Sequence, residues 1–146
     1  MFNYSLHVEM WERIADCIIE RLSQAEITSE YDAIVFIDDL KEDILIDMEV
    51  EEYPFAFCYA CDYAYNIIKV QNTNVDHRYR CVYCPLDGWG ADKCYQASYS
   101  SNYISTTGQG LFNKLCKAIL EKDGNEAENI CIQISELEVK ENIDIE

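Results

Sequence analysis

The stretch that decides the fold contains two cysteine pairs, CYAC at residues 58–61 and CVYC at residues 81–84, with nineteen residues between them. The spacing C-x2-C-x19-C-x2-C lies within the range of zinc sites with four thiolate ligands. Each pair can direct two sulfurs at one ion from a tight turn, and two pairs complete a tetrahedral site. Because such a site leaves no open position for water or substrate, we expect structural zinc held by Cys58, Cys61, Cys81 and Cys84.

Other side chains near these pairs suit the same centre. Cys94 and His77 are alternative ligands, which can replace a sulfur or lie beside the metal. Zinc with four thiolates carries a net charge of about −2. The bases Lys69, Arg78 and Arg80 can offset this charge, although ordinary solvated surface positions explain them at least as well.

Length and composition indicate one domain over residues 1–146, with a zinc-binding module over residues 55–95. Apolar residues make up 49% of the chain, which is enough for a core. The first residues lack the basic and apolar regions of a secretory signal, and no apolar run reaches membrane-spanning length. We therefore expect a reduced, cytoplasmic chain in which the eight cysteines do not form disulfides. Cys17, Cys116 and Cys131 are interpreted as small buried hydrophobes.

Charge is distributed unevenly along the chain, whose formal net charge is −17. Residues 26–52 carry eleven acids and one base, and residues 121–146 carry nine acids and two bases. Residues 53–120 have a net charge of +2. A surface this acidic disfavours direct nucleic-acid binding, which needs Lys and Arg at the phosphates, and favours a basic protein partner.

Two helices are predicted before the cysteine pairs. Ser5 can cap the first, whose apolar stripe contains Trp11, Ile14, Ile18, Leu22 and Ala25. Thr28 or Ser29 can cap the second, in residues 26–52, although the β-branched residues 33–37 leave a strand open there. Its apolar face contains Ile34, Ile37, Leu40, Ile44 and Met48. An acidic cluster lies away from that face and consists of Asp38, Asp39, Glu42, Asp43 and Asp47.

Two more helices are predicted after the pairs. One spans about residues 108–122, with Thr106 or Thr107 as its cap and Gly124 as its stop. The other passes through residues 127–137, although the alternation of isoleucines over residues 130–134 also fits a strand. Residues 139–146 are expected to form an acidic tail or an edge strand. The predicted fold class is α+β, mainly helical, with helices packed around a four-cysteine zinc knuckle or ribbon.

An enzymatic function is disfavoured. His7-Val8-Glu9 matches the H-x-E of zinc deaminases, but those enzymes pair it with P-C-x-x-C, and neither proline here directly precedes a cysteine pair. His7 is interpreted as a surface residue. The βαβ pattern of thioredoxin-like proteins is missing around both pairs. No nucleophile elbow, phosphate-binding loop or dinucleotide fingerprint is present.

The order of the motifs resembles that of small, uncharacterised bacteriophage and prophage proteins with paired C-x-x-C zinc knuckles. The resemblance extends over most of residues 7–137. It is carried by C-x-x-C-D-Y-A at residues 58–64, C-x-x-C-P-L at residues 81–86, Trp89 and Cys94. It implies a phage context, the four knuckle ligands and Cys94 as an associated position, but no biochemical activity.

Two binding functions follow as hypotheses. In the first, the chain inhibits a host nucleic-acid-binding defence protein, such as a CRISPR effector, by mimicking nucleic acid with the acidic cluster. In the second, it is a zinc-ribbon adaptor in phage replication or transcription that contacts nucleic acid or the polymerase machinery. Nucleic acid would then be contacted by the bases Lys69, Arg78 and Arg80 together with Tyr79 and Tyr83. The first is preferred, because a net charge of +2 over residues 53–120 is small for nucleic-acid binding.

Overall fold

A computed structural model describes residues 1–71, 83–89 and 110–146. Five α-helices lie in these ranges: α1 (Tyr4–Ser23), α2 (Glu30–Asp47), α3 (Tyr59–Val70), α4 (Leu111–Leu120) and α5 (Gly124–Ser135). The 3-10 turn Phe55–Phe57 precedes α3. Two short strands, β1 (Leu86–Asp87) and β2 (Glu138–Val139), pair antiparallel. The prediction of a mainly helical α+β chain is therefore confirmed.

Helix α1 is the central helix of the described core and packs most extensively against α5. The predicted stripe is buried at Trp11, Ile14, Ile18 and Leu22. The predicted cap is wrong, because Asn3 rather than Ser5 caps the helix and accepts the Leu6 N–H at 3.2 Å. The helix therefore begins at Tyr4, two residues earlier than the Ser5 cap predicts.

Helix α2 confirms the helical prediction for the acidic segment, and the strand alternative for residues 33–37 is wrong. Ser29 is the N-cap and accepts the Asp32 N–H at 3.1 Å. The buried face includes Ile37, Leu40 and Ile44, as predicted. It packs against α4 and α1 and also contacts the 3-10 turn.

The α4–α5 connection differs from its prediction. Gly124 does not stop α4 but opens α5, and Lys122 instead adopts the left-handed backbone, with φ of 59°. A Cβ on Gly124 would lie 3.4 Å from a side-chain carbon of Ile19, at van der Waals distance, so α5 begins directly against α1. Gly110 is the N-cap of α4, whereas the predicted caps Thr106 and Thr107 lie outside the described residues.

Helix α5 covers the isoleucine segment, so the strand alternative for residues 130–134 is wrong. Beyond α5, residues 139–146 return to the N-terminus. Val139 lies in β2 opposite Leu86, and Ile145 forms a parallel bridge with Phe2. The Phe2 N–H donates to the Asp144 carbonyl at 2.8 Å.

One hydrophobic cluster includes residues from all five helices, from the segment around Cys84 and from Phe2. Within the three described ranges, no helix combines the length and the apolarity that crossing a bilayer requires.

Candidate metal centre

The first cysteine pair lies at the N-terminus of α3. Cys58 has extended backbone angles and is the N-cap, and its Sγ accepts the Cys61 N–H at 3.3 Å. Both side chains are buried, each with 5% of its surface exposed. Helix N-termini favour negative charge and lower the pKa of cysteines placed there. The local backbone therefore brings two sulfurs together at the positive end of α3, where the Cys61 N–H acts to lower the pKa of Cys58 but is outweighed by the opposing effects described next.

Without a metal, the Cys58 thiol is held in its protonated form. Its pKa is raised chiefly by the hydrogen bond with the Cys61 side chain and then by burial. The positive charge of Lys41 acts in the opposite direction. A metal ion that binds here must displace the proton, so its affinity must rise with pH.

The second pair is described only in part. Cys84 is buried two residues before the start of β1, with 9% of its surface exposed. The other predicted ligand of this pair, Cys81, and the alternatives Cys94 and His77 lie outside the described residues. In the described part of the chain, no three His, Cys, Asp or Glu side chains form a metal-binding group. The described structure thus brings Cys58 and Cys61 together and does not add Cys84 to them as a third ligand.

Lys41 is a buried base on α2 that sequence reasoning missed. It lies on the buried face of α2 and is completely inaccessible to solvent. Its Nζ is 3.7 Å from the Asp38 carboxylate and 5.8 Å from the centre of the Phe112 ring. In the sequence, Lys41 follows Ile37 by four residues and precedes Ile44 by three, so helical spacing alone places it on the apolar face.

The predicted bases are placed differently. Lys69 is solvent-exposed near the end of α3, with its Nζ 5.4 Å from the centre of the Tyr65 ring. Arg78 and Arg80, which would also serve the adaptor hypothesis, lie outside the described residues. Lys41, in contrast, acts on Cys58, because its positive charge lowers the pKa of that thiol.

The acidic cluster lies along the outer side of α2. Asp39, Asp43 and Asp47 are exposed, whereas Asp38 and Glu42 are half-buried. The cluster has two parts, and only one of them contacts a base. In that part, Asp43 accepts a hydrogen bond of 2.5 Å from a guanidinium nitrogen of Arg21 on α1. The same guanidinium also interacts electrostatically with Asp47. Asp38, Asp39 and Glu42 lie beyond this partly neutralised edge.

Exposed apolar side chains share the surface with these carboxylates. Tyr31 is 73% exposed, Val35 is 37% exposed and Ile46 is 51% exposed. Their spacing places them in one stripe of α2 with Asp39 and Glu42. The outer face of α2 is therefore both acidic and partly apolar.

The H-x-E motif does not form a site at the surface. The prediction that His7 is a surface residue is wrong, because its side chain is 1% exposed and lies beneath α5. Its Nε2–H donates to the Ile134 carbonyl at 3.0 Å. Burial lowers the pKa of His7 to about 4, against the opposing effect of this hydrogen bond. Glu9 forms an ion pair with Arg13 instead, at 3.0 Å. Helical spacing could have predicted the burial of His7, since it precedes the buried Trp11 by four residues.

The cysteines outside the pairs are placed in or near the core. Cys116 and Cys131 are buried, and Cys17 is half-buried. Burial raises the pKa of Cys116 to about 12 and raises that of Cys131 still further. These thiols stay protonated at neutral pH and pack as small apolar groups.

Comparison with known proteins adds no relative from which a site could be transferred. No protein-family model matches the chain, and neither the curated proteins nor the solved structures give a match. The resemblance to phage proteins therefore stays a prediction that rests on the cysteine motifs.

Proposed function

We propose that this chain is a small acidic, zinc-stabilised protein of bacteriophage type that acts by binding another protein. Its target is a host nucleic-acid-binding defence protein of the bacterial cytoplasm, such as a CRISPR effector. The chain occupies the basic surface that normally holds nucleic acid and thereby inhibits the target. The physical basis is electrostatic complementarity, with carboxylates in place of phosphates.

The observation that carries the proposal is the density of carboxylates along α2. The helix has 18 residues, which span about 27 Å at ~1.5 Å per residue. It carries seven carboxylates, or about one per 4 Å, compared with about one phosphate per 3.4 Å along one DNA strand. Its single base, Lys41, is buried and so does not interrupt the acidic surface.

The apolar stripe supports a protein partner over a small cation. Protein interfaces combine charged groups that steer association with apolar groups that are desolvated on contact. Tyr31 and Ile46, both at least half exposed, supply such groups beside Asp39 and Glu42. A surface that served solubility alone would not need them.

The zinc part of the proposal rests on the first cysteine pair. Cys58 and Cys61 are buried and lie together at the N-terminus of α3, and Cys84 is buried in the segment before β1. Together with Cys81, these residues would hold zinc and fix the N-terminus of α3 to the β1 segment. In this role the metal stabilises the body that presents α2, and it performs no chemistry.

The proposal is tested by competition between this protein and nucleic acid. A panel of purified CRISPR effector nucleases is loaded with fluorescently labelled target DNA, and displacement is followed by anisotropy as this protein is added. We expect displacement from at least one effector, with an inhibition constant that weakens as salt rises. Salt-sensitive binding of DNA or RNA by this protein alone would instead support the adaptor hypothesis.

Charge reversal on α2 assigns the effect to the proposed surface. Asp39→Lys combined with Glu42→Lys avoids the Arg21 ion pair and should abolish displacement. The matched control combines Glu121→Lys with Glu136→Lys, two exposed C-cap residues of α4 and α5 where a base is favoured. It makes the same change in net charge and should retain displacement. Equal inhibition by the two double variants would refute mimicry by α2.

A further inference from the structure

A cavity beside α3 plays no part in the proposed function. Its volume is about 300 Å³, which is at the lower end of the range for small-molecule sites. One face of α3 lines it with residues that recur at helical spacing, namely Tyr59, Asp62, Tyr63, Asn66, Ile67 and Val70. Met1, Asn3 and Glu146 complete the lining, near the parallel bridge between Phe2 and Ile145. The fold thus builds the cavity from three separate segments of the sequence.

The cavity carries negative charge that neutral groups hold in place. Asp62 accepts the Phe55 N–H at 2.9 Å, and its other oxygen lies 3.4 Å from the Asn66 side-chain nitrogen. The Glu146 carboxylate accepts a hydrogen bond of 2.9 Å from the Asn3 side-chain amide. These donors orient the two carboxylates without neutralising them, and the described residues that line the cavity include no basic side chain. A carboxylate has about four lone-pair sites, so each can accept further hydrogen bonds from a cation.

Aromatic and aliphatic side chains form much of the remaining lining. Tyr59 is 8% exposed, and its hydroxyl has no hydrogen-bond partner among the described residues. Tyr63 is half-buried and packs edge-on against the Phe2 ring, with 5.9 Å between the ring centres. Met1 and Val70 are 77% and 82% exposed, more than any other large hydrophobic side chain of the described ranges. A ligand with an apolar part would remove these two side chains from water.

This lining favours an organic cation over a metal ion. Calcium and magnesium take six or more oxygen ligands, whereas no three His, Cys, Asp or Glu side chains within the described ranges are grouped for a metal. A guanidinium, amidinium or ammonium group forms strong hydrogen bonds with one or two carboxylates and is attracted to tyrosine rings. Its hydrocarbon part gains free energy from contact with exposed apolar side chains.

We propose that this cavity binds a small organic cation, in which a guanidinium, amidinium or ammonium group is attached to an apolar stem. The charged group faces the carboxylates of Asp62 and Glu146, and the stem covers Met1 and Val70. A free amine and the arginine side chain of a peptide present the same chemistry. The inference goes beyond the proposed function and depends neither on a metal centre nor on the outer face of α2.

The first test compares two ligands of the same shape. Benzamidine carries an amidinium group on an apolar ring, and benzamide carries a neutral amide on the same ring. Each is titrated into the 15N-labelled full chain under reducing conditions and followed by NMR. We expect benzamidine to shift the side-chain amide signals of Asn3 and Asn66 with a dissociation constant of about 1 mM, as suits so few atoms. Benzamide should bind at least about tenfold more weakly, because it lacks the charge. Equal binding of the two ligands, or no shift at about 10 mM benzamidine, would overturn the inference.

Two further ligands identify the source of the cation. A capped Gly-Arg-Gly tripeptide and spermidine are each titrated in competition with benzamidine. Displacement of benzamidine by the tripeptide alone would assign the cavity to an arginine side chain of a partner. Displacement by spermidine alone would assign it to a free polyamine.

An isosteric double variant assigns the binding to the cavity. Asp62→Asn combined with Glu146→Gln keeps an oxygen acceptor at both positions and removes both charges. The affinity for benzamidine should fall about tenfold, which is the combined effect of two partly exposed ion pairs. The matched control combines Glu51→Gln with Glu121→Gln, two exposed acids outside the cavity. It makes the same change in net charge and should stay within about twofold of wild type. Equal losses of affinity in the two double variants would show unspecific attraction by the acidic surface and overturn the inference. None of the four positions belongs to a cysteine pair or to α2, so either outcome leaves the proposed function to its own test.

Discussion

Replacing His7 by Gln should remove an acid-sensitive contribution to the stability of the fold. The imidazole is buried, its Nε2–H bonds the Ile134 carbonyl, and its Nδ1 has no hydrogen-bond partner among the described residues. Burial lowers the pKa of His7 from 6.5 to about 4 in the folded chain. The unfolded chain therefore binds a proton between these two pH values, whereas the folded chain does not. His7 contributes its full stabilisation above pH 6.5, and this is lost as the pH falls toward 4.

The magnitude follows from the size of the pKa shift. A shift of about 2.5 units corresponds to about 3.4 kcal/mol in total, of which about 2.5 kcal/mol is lost by about pH 4.5. Gln keeps an N–H donor for the Ile134 carbonyl but does not titrate. The difference in free energy of unfolding between wild type and His7→Gln should therefore shrink by about 2.5 kcal/mol between about pH 7.5 and about pH 4.5.

The assay is urea unfolding of both proteins at a fixed zinc concentration across this pH range. The difference between the proteins isolates His7, because the carboxylates and the cysteines titrate alike in both. NMR titration of the wild-type imidazole provides an independent reading and should give a pKa well below 6.5. A normal imidazole pKa, or a difference in unfolding free energy that does not change with pH, would refute the assignment of His7 to the core.

Two further predictions concern local backbone structure and are checked by denaturant unfolding. Ser29→Ala removes the N-cap of α2 and should lower the free energy of unfolding by about 1 kcal/mol, which Ser29→Asp should restore. Gly88→Ala should cost about 1–3 kcal/mol, because φ is +100° and a Cβ would lie 2.9 Å from Leu137 Cδ2. Gly124→Ala is its control and should be neutral or slightly stabilising, since the nearest contact is 3.4 Å from Ile19. Equal effects of the two glycine substitutions would contradict the backbone described at Gly88.

The helices were predictable where apolar spacing and caps agree. The stripe from Trp11 to Leu22 and the Ser29 cap define α1 and most of α2, because both signals are local. Helix ends were less predictable. Gly124 is a residue type that commonly ends helices, but here Lys122 takes the left-handed conformation and Gly124 begins α5.

The polar residues of the core were the main omission. His7 and Lys41 both lie on apolar stripes by spacing, but His7 was predicted to be a surface residue and Lys41 was not singled out. Each contacts a group on another helix, the Ile134 carbonyl on α5 for His7 and the Phe112 ring on α4 for Lys41, which local sequence does not show. The C-x-x-C motif itself predicted the placement of Cys58 and Cys61, because three residues separate the sulfurs by one helical turn.

The central claim is that one metal ion held by four sulfurs stabilises the body that presents the acidic helix. Cobalt substitution under reducing conditions tests it most directly, because thiolate-to-cobalt charge-transfer bands report the number of sulfur ligands. We predict one cobalt per folded chain, an intensity typical of four thiolates, and loss of about one thiolate contribution in each of Cys58→Ser, Cys61→Ser, Cys81→Ser and Cys84→Ser. A folded wild-type protein that binds no cobalt, or whose spectrum is unchanged by these substitutions, would contradict the claim.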